Sequence, residues 1–83
     1  MAYLVIWEPE AQAAMRKLDK AAIEQISKKV LEMAGDPHHF LSKLVGIPLY
    51  RLRAGDYRLF VLILDSKKEV HILRISHRKN AYK

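Results

Sequence analysis

The sequence predicts an α+β domain: a small antiparallel β-sheet, in the order strand, two helices, three strands, with a helical hairpin packed on one face. Three observations predict it. A short β-rich segment opens the chain, two stretches with apolar residues every three or four positions follow, and the second half holds three segments rich in β-formers.

The opening strand is YLVIW, Tyr3 to Trp7, and Pro9 just behind it suits the first turn of a helix. In that helix Ala11, Ala14, Met15 and Leu18 form one apolar stripe. Asp19 is placed to cap a second helix, whose Ala22, Ile23, Ile26, Val30 and Met33 make a buried face while Lys20, Glu24, Lys28 and Lys29 lie mostly outside. Gly35, Asp36 and Pro37 end it. Residues 36–48 have no clear period, and strands are expected at about 49–53, 56–64 and 69–76. Trp7, Met15 and Met33 fall on apolar faces and read as core.

The 83 residues make a single domain, 1–83, which at this size buries only about 60 to 65% of the surface its unfolded chain exposes. The sequence has no cysteine, so it offers neither a disulfide framework nor a thiolate metal site, which suits a reducing, cytoplasmic setting. The start MAYLVIWEPE lacks a basic n-region and does not read as a secretory leader, and the run Phe60 to Leu64 is far too short for a membrane span. No membrane partner is expected.

Charge is unevenly divided. Residues 1–41 carry five Lys/Arg and six Asp/Glu, whereas residues 42–83 carry ten and three, so the net charge of +6 belongs to the second half. Such asymmetry points to a polyanion, most simply nucleic acid, because clustered cations release condensed counterions when they meet phosphates.

The segment YRLRAGDYRLF, residues 50–60, concentrates this charge on a hairpin. A tip at Ala54 and Gly55 sets Arg51 opposite Arg58, with Tyr50, Leu52, Tyr57 and Leu59 on one face and Leu49, Arg51, Arg53, Arg58 and Phe60 on the other. Like charges placed opposite one another work against folding, whereas two guanidinium forks can share a phosphate through bidentate hydrogen bonds. Phe60, Leu62 and Leu64 make the middle of this uncovered face apolar, as expected of a partner surface. The tail, SHRKNAYK, sets Arg78 and Lys79 near Tyr82, a pairing suited to a single-stranded nucleic acid whose base stacks on the ring.

The ordered set WEPEAQAAMRKL, KLVG, LYRLRAGDYRLF and HRKNAYK resembles the RelE toxins of the RelE/ParE toxin-antitoxin superfamily, in a form close to the archaeal members, over nearly the whole chain. The resemblance implies a small antiparallel sheet packed by two helices. It implies a ribosome-dependent endoribonuclease, an mRNA interferase, that enters the A site beside rRNA and cuts mRNA by driving the 2′-hydroxyl onto the adjacent phosphate. No metal or other cofactor takes part, and a cognate RelB-like antitoxin neutralises the toxin. Carried over by position, the phosphate-contacting and catalytic residues fall on Arg51, Arg58, Arg78 and Tyr82. Lys43, Arg53, His77 and Lys79 become RNA-binding candidates, and Phe60, Leu62 and Leu64 the antitoxin-binding surface. Some bacterial members carry a lysine at the position of Arg51 and a longer tail.

In-line attack needs a proton acceptor, a proton donor for the leaving 5′-oxygen and positive charge on the developing phosphorane. Arginines meet the third need but stay protonated. The acceptor is either Tyr82, with its pKa lowered by neighbouring guanidinium groups, or His77; Tyr82 can alternatively serve only by stacking on a base. His38, His39, His71 and Glu69 have no spacing that fixes a coordination geometry, so no metal site is expected. Two other readings share the fold: a ParE-type toxin directed at DNA gyrase, and a domain that binds nucleic acid or antitoxin without catalysis.

Overall fold

The computed structural model describes residues 2–77. The chain runs β1 (Leu4–Trp7), α1 (Pro9–Arg16), α2 (Lys20–Gly35), a single helical turn α3 (Pro37–Phe40), β2 (Ser42–Lys43), β3 (Tyr50–Ala54), β4 (Tyr57–Leu64), a 3₁₀ turn (Asp65–Lys67) and β5 (Glu69–His77). The expected α+β order is present. Two small elements, α3 and β2, are additions within the stretch where the sequence has no period, being too short to display one.

The five strands form one sheet in the order β1-β5-β4-β3-β2. It is antiparallel except at one edge, where β1 runs parallel to β5. Helices α1 and α2 supply the crossover that a parallel pair requires. Pro9 occupies the first turn of α1, and the Asp19 side chain accepts a 2.8 Å hydrogen bond from the Ala22 amide at the start of α2. The α2 stripe buries Ala22, Ile26, Val30 and Met33, together with Ala34.

That stripe and Ala11 of α1 pack on Leu52 and Ala54 of β3, Leu59 and Val61 of β4, and Val70 and Ile72 of β5. Each buried Leu, Ile or Val contributes about 1.5–3 kcal/mol relative to exposure, so this one sheet face holds most of the apolar stabilisation. Among the described residues, no helix packs over the opposite face.

A β-bulge sets which residues reach that open face. Phe60 pairs with Arg74 but Val61 pairs with Ile72, so Leu73 is an extra residue on β5. Strict alternation would send Arg74 to the same side as Val70 and Ile72. The bulge moves it to the open face and turns Ile75 and His77 toward the helices.

Candidate functional site

The β3–β4 hairpin positions the arginines, and its turn corrects the expected register. Ala54 pairs with Tyr57, leaving Gly55 and Asp56 as a two-residue loop in which Gly55 alone has a positive φ, 62°. Glycine at the first central position marks a type II′ turn. The sequence-based alignment had glycine second, which displaced the ladder by two residues. Arg53, not Arg51, therefore stands opposite Arg58, while Arg51 stands opposite Phe60. A two-residue slip preserves side-chain alternation, so the assignment of residues to faces holds.

On the open face two rows cross the sheet. One reads Arg53, Arg58, Ser76 and the other Ser42, Arg51, Phe60, Arg74. Arg51 is a diagonal neighbour of Arg58, about 7–8 Å away at the backbone. Among the described residues no carboxylate lies within ion-pair distance of Arg51, Arg53 or Arg74. Arg74 is the cation that sequence reading missed. Its only signal would have been the bulge at Leu73, which no local residue pattern announces.

Phe60, Leu62 and Leu64 are half-buried on the same face. The loop between β2 and β3 lies against one end of this strip, so that Ile47, Leu49, Phe60 and Leu73 line a groove of about 300 Å³ with Glu10 and Arg74 beside it. Val45 in that loop is fully exposed and Ile47 is 47% exposed.

The other candidates are placed differently. Lys43 is exposed and pairs with Tyr50, which assigns it to the face opposite Arg51. His77 pairs with Tyr57 on the helix side, its ring edge-on to Tyr57 at 4.7 Å, in a cleft shared with Lys17 and Leu18. Arg78, Lys79 and Tyr82 lie outside the described residues.

Two histidine clusters sit elsewhere. His71, on the open face beside Ile6 and Leu62, places Nδ1 2.9 Å from Glu8 and Nε2 3.1 Å from Glu69. Only the imidazolium donates from both nitrogens. The Glu8 hydrogen bond, followed by that of Glu69, raises the His71 pKa above 6.5, against the opposing effect of burial. Glu8 thereby makes no side-chain cap for α1. At the far end of the sheet, Asp65 accepts from the Tyr3 hydroxyl at 2.7 Å and lies 2.8 Å from His38 Nε2. Those two hydrogen bonds hold its carboxyl below the usual 3.8 and the bond to Asp65 holds Tyr3 above 10.0. Among the described residues no group of three or more His, Cys, Asp or Glu is arranged to hold a metal ion, and no helix is long and apolar enough to cross a membrane.

Guanidinium groups gathered on one sheet face can clamp phosphate and stabilise charge that develops on it. Residues 5–82 match the family model described as the ParE toxin of type II toxin-antitoxin system, parDE. The chain is similar to the Escherichia coli K12 mRNA interferase toxin RelE, with 31% identity across 98% of this chain and 88% of the relative. In structure it is similar to the toxin-antitoxin complex RelBE2 of Mycobacterium tuberculosis, with a TM-score of 0.87 at 25% identity, covering 94% of this chain and all of that one. It is also similar to the archaeal RelE-RelB complex of Pyrococcus horikoshii, with a TM-score of 0.80 at 28% identity, covering 94% and 97%. The chain belongs to the RelE/ParE family of toxins of type II toxin-antitoxin systems.

Proposed function

We propose that the protein is a ribosome-dependent mRNA endonuclease, metal-independent, that cuts in the A site by attack of the 2′-hydroxyl on the adjacent phosphate. The observation that carries this reading is the arginine group: Arg53 opposite Arg58, Arg51 diagonal to it, and no acidic partner for Arg51 or Arg53 among the described residues. Arg51 and Arg58 neutralise the phosphorane, with Arg78 completing the cluster from the tail. Tyr82 takes the proton from the 2′-hydroxyl as its oxygen bonds to phosphorus; the bond from phosphorus to the 5′-oxygen breaks, leaving a 2′,3′-cyclic phosphate and a 5′-hydroxyl that takes its proton from water. Phe60, with Arg51 on one side and Arg74 on the other, offers a ring on which a base can stack between two cations. Homologues named mRNA interferase support the same activity.

The regulator in this reading is a RelB-like antitoxin that covers Phe60, Leu62 and Leu64 and brings acidic residues to the arginines, blocking the site by occlusion. RelE relatives have been solved in complex with RelB. The reading is tested by incubating the purified protein with programmed ribosomes and mapping mRNA ends. Cleavage within the A-site codon is expected; intact mRNA together with inhibited gyrase supercoiling would assign the protein to the gyrase-directed branch instead. Folded Phe60→Asp and Leu62→Asp proteins should bind antitoxin more weakly than wild type, and unchanged affinity would remove the strip from the interface.

A further inference from the structure

A second basic surface lies around the edge of the hairpin from the arginine face. Helix α2 and the β3–β4 turn enclose a cleft of about 440 Å³ lined by Gln25, Lys28, Lys29, Glu32, Arg53 and Gly55, among others. Residues 25, 28, 29 and 32 recur at helical spacing and so form one face of α2. Three cations meet one carboxylate there, and none of those three cations is in an ion pair among the described residues. Lys29 has its ammonium 5.3 Å from the centre of the Phe40 ring, so it contributes field at the cleft while anchored to an aromatic. Lys28 is exposed and, among the described residues, has no such anchor.

Continuity decides what this cleft takes. Arg53 belongs to both surfaces: it faces Arg58 across the ladder and also lines the cleft. Because Gly55 has no side chain, the turn packs closely on Gln25. The α2 lysines are thereby held beside the arginine face. A chain with regularly repeated negative charge can follow such a track, while a compact anion would use only part of it. Of the residues that line the cleft, all but Ala54 and Gly55 carry a charged or amide side chain, and no large apolar side chain is among them.

We propose that this cleft binds RNA backbone phosphates, so that a ribonucleotide chain on Arg58 continues past Arg53 to Lys28 and Lys29. The proposal rests on the reading of the protein as an RNA-directed toxin. In this arrangement the arginine face performs the chemistry and the α2 cleft supplies affinity, by counterion release rather than base readout.

The test compares wild type with the Lys28→Gln/Lys29→Gln protein in binding to programmed ribosomes and to a 20-nucleotide single-stranded RNA, across a salt series. The double variant should bind several-fold more weakly at low salt, with a salt slope shallower by about 0.7 to 1 per lysine removed. Single-turnover cleavage at saturating ribosomes should stay within about twofold of wild type, since these lysines supply uniform binding. Glu32→Gln should shift affinity the other way, a result that a structural role for the helix would not give. Unchanged affinity and slope in the double variant overturn the proposal. So does weakened antitoxin binding with RNA binding intact, which would assign the cleft to an acidic peptide. Absence of cleavage by wild type would count against the endonuclease reading, while the RNA titrations would still decide the cleft.

Discussion

Arg53 and Arg58 face one another across the β3–β4 ladder, the closest approach the sheet gives to two side chains on adjacent strands. Opposed like charges cost on the order of 0.2–1 kcal/mol, so this pairing does not by itself favour folding, and an anion shared by the two forks would offset the cost. Arg53→Thr should therefore raise the melting temperature by about 1 to 6 °C, as expected for that energy in a domain of this size, and weaken mRNA cleavage. Arg51→Ala and Arg58→Ala should each slow single-turnover cleavage about a hundred- to thousandfold, on the scale of a lost oxyanion-hole donor. Full activity in folded forms of both would remove the arginines from the transition state.

Most of this face was legible from alternation. Odd positions of β3 and even positions of β4 carry the open-face set, and a two-residue error in register leaves that division intact. What the sequence did not reveal were two irregularities. The type II′ turn depends on which of two loop residues takes the positive φ, a choice that Gly55 permits at either position. The bulge at Leu73 changes the side of every later β5 residue, so Arg74 joins the site and His77 leaves it for Tyr57. Both depend on pairing across strands, information that no single segment contains.

Gly55 provides a direct check on the turn. Its φ of 62° is unfavourable for residues with a Cβ, and a Cβ there would run into the Gln25 side chain. Gly55→Ala should cost about 1–3 kcal/mol, the usual range for a side chain held in such a backbone conformation. Because the Gln25 side chain is flexible, Gly55→Ala combined with Gln25→Ala should recover only the steric part. Chemical denaturation of the two proteins checks this, and a stability loss fully reversed by the second change would show that φ carries no cost here.

His71 makes stability depend on pH. Its folded-state pKa is raised above 6.5 by Glu8 and Glu69, so the imidazolium clamp contributes fully below about 6.5 and is lost as pH rises through the folded pKa. Wild type should thus lose stability relative to His71→Gln as pH rises above about 6.5 and through the folded-state pKa. Glu8→Gln should lower the His71 pKa and shrink the difference. Ring proton shifts followed by NMR, alongside melts at each pH, test both; a His71 resonance that titrates at or below 6.5 would contradict the doubly bridged geometry.

The proton acceptor separates the two aromatic candidates of the C-terminal segment. His77 shares the helix side of the sheet with Tyr57, across the sheet from Arg58, and a general base must come within hydrogen-bond reach of the 2′-hydroxyl or act through one water. His77→Gln should leave single-turnover cleavage on ribosomes within about threefold of wild type once stability is matched, and leave the pH–rate profile unmoved. Tyr82→Phe asks a different question, since it keeps the ring and removes only the hydroxyl. If Tyr82 takes the proton, the phenylalanine protein should be nearly as slow as Tyr82→Ala, and the rise of rate with pH should disappear from its profile. A Tyr82→Phe protein close to wild type would assign the ring to stacking alone. A loss in His77→Gln that carries away the pH dependence would transfer the base role to the imidazole and require β5 to rearrange on the ribosome.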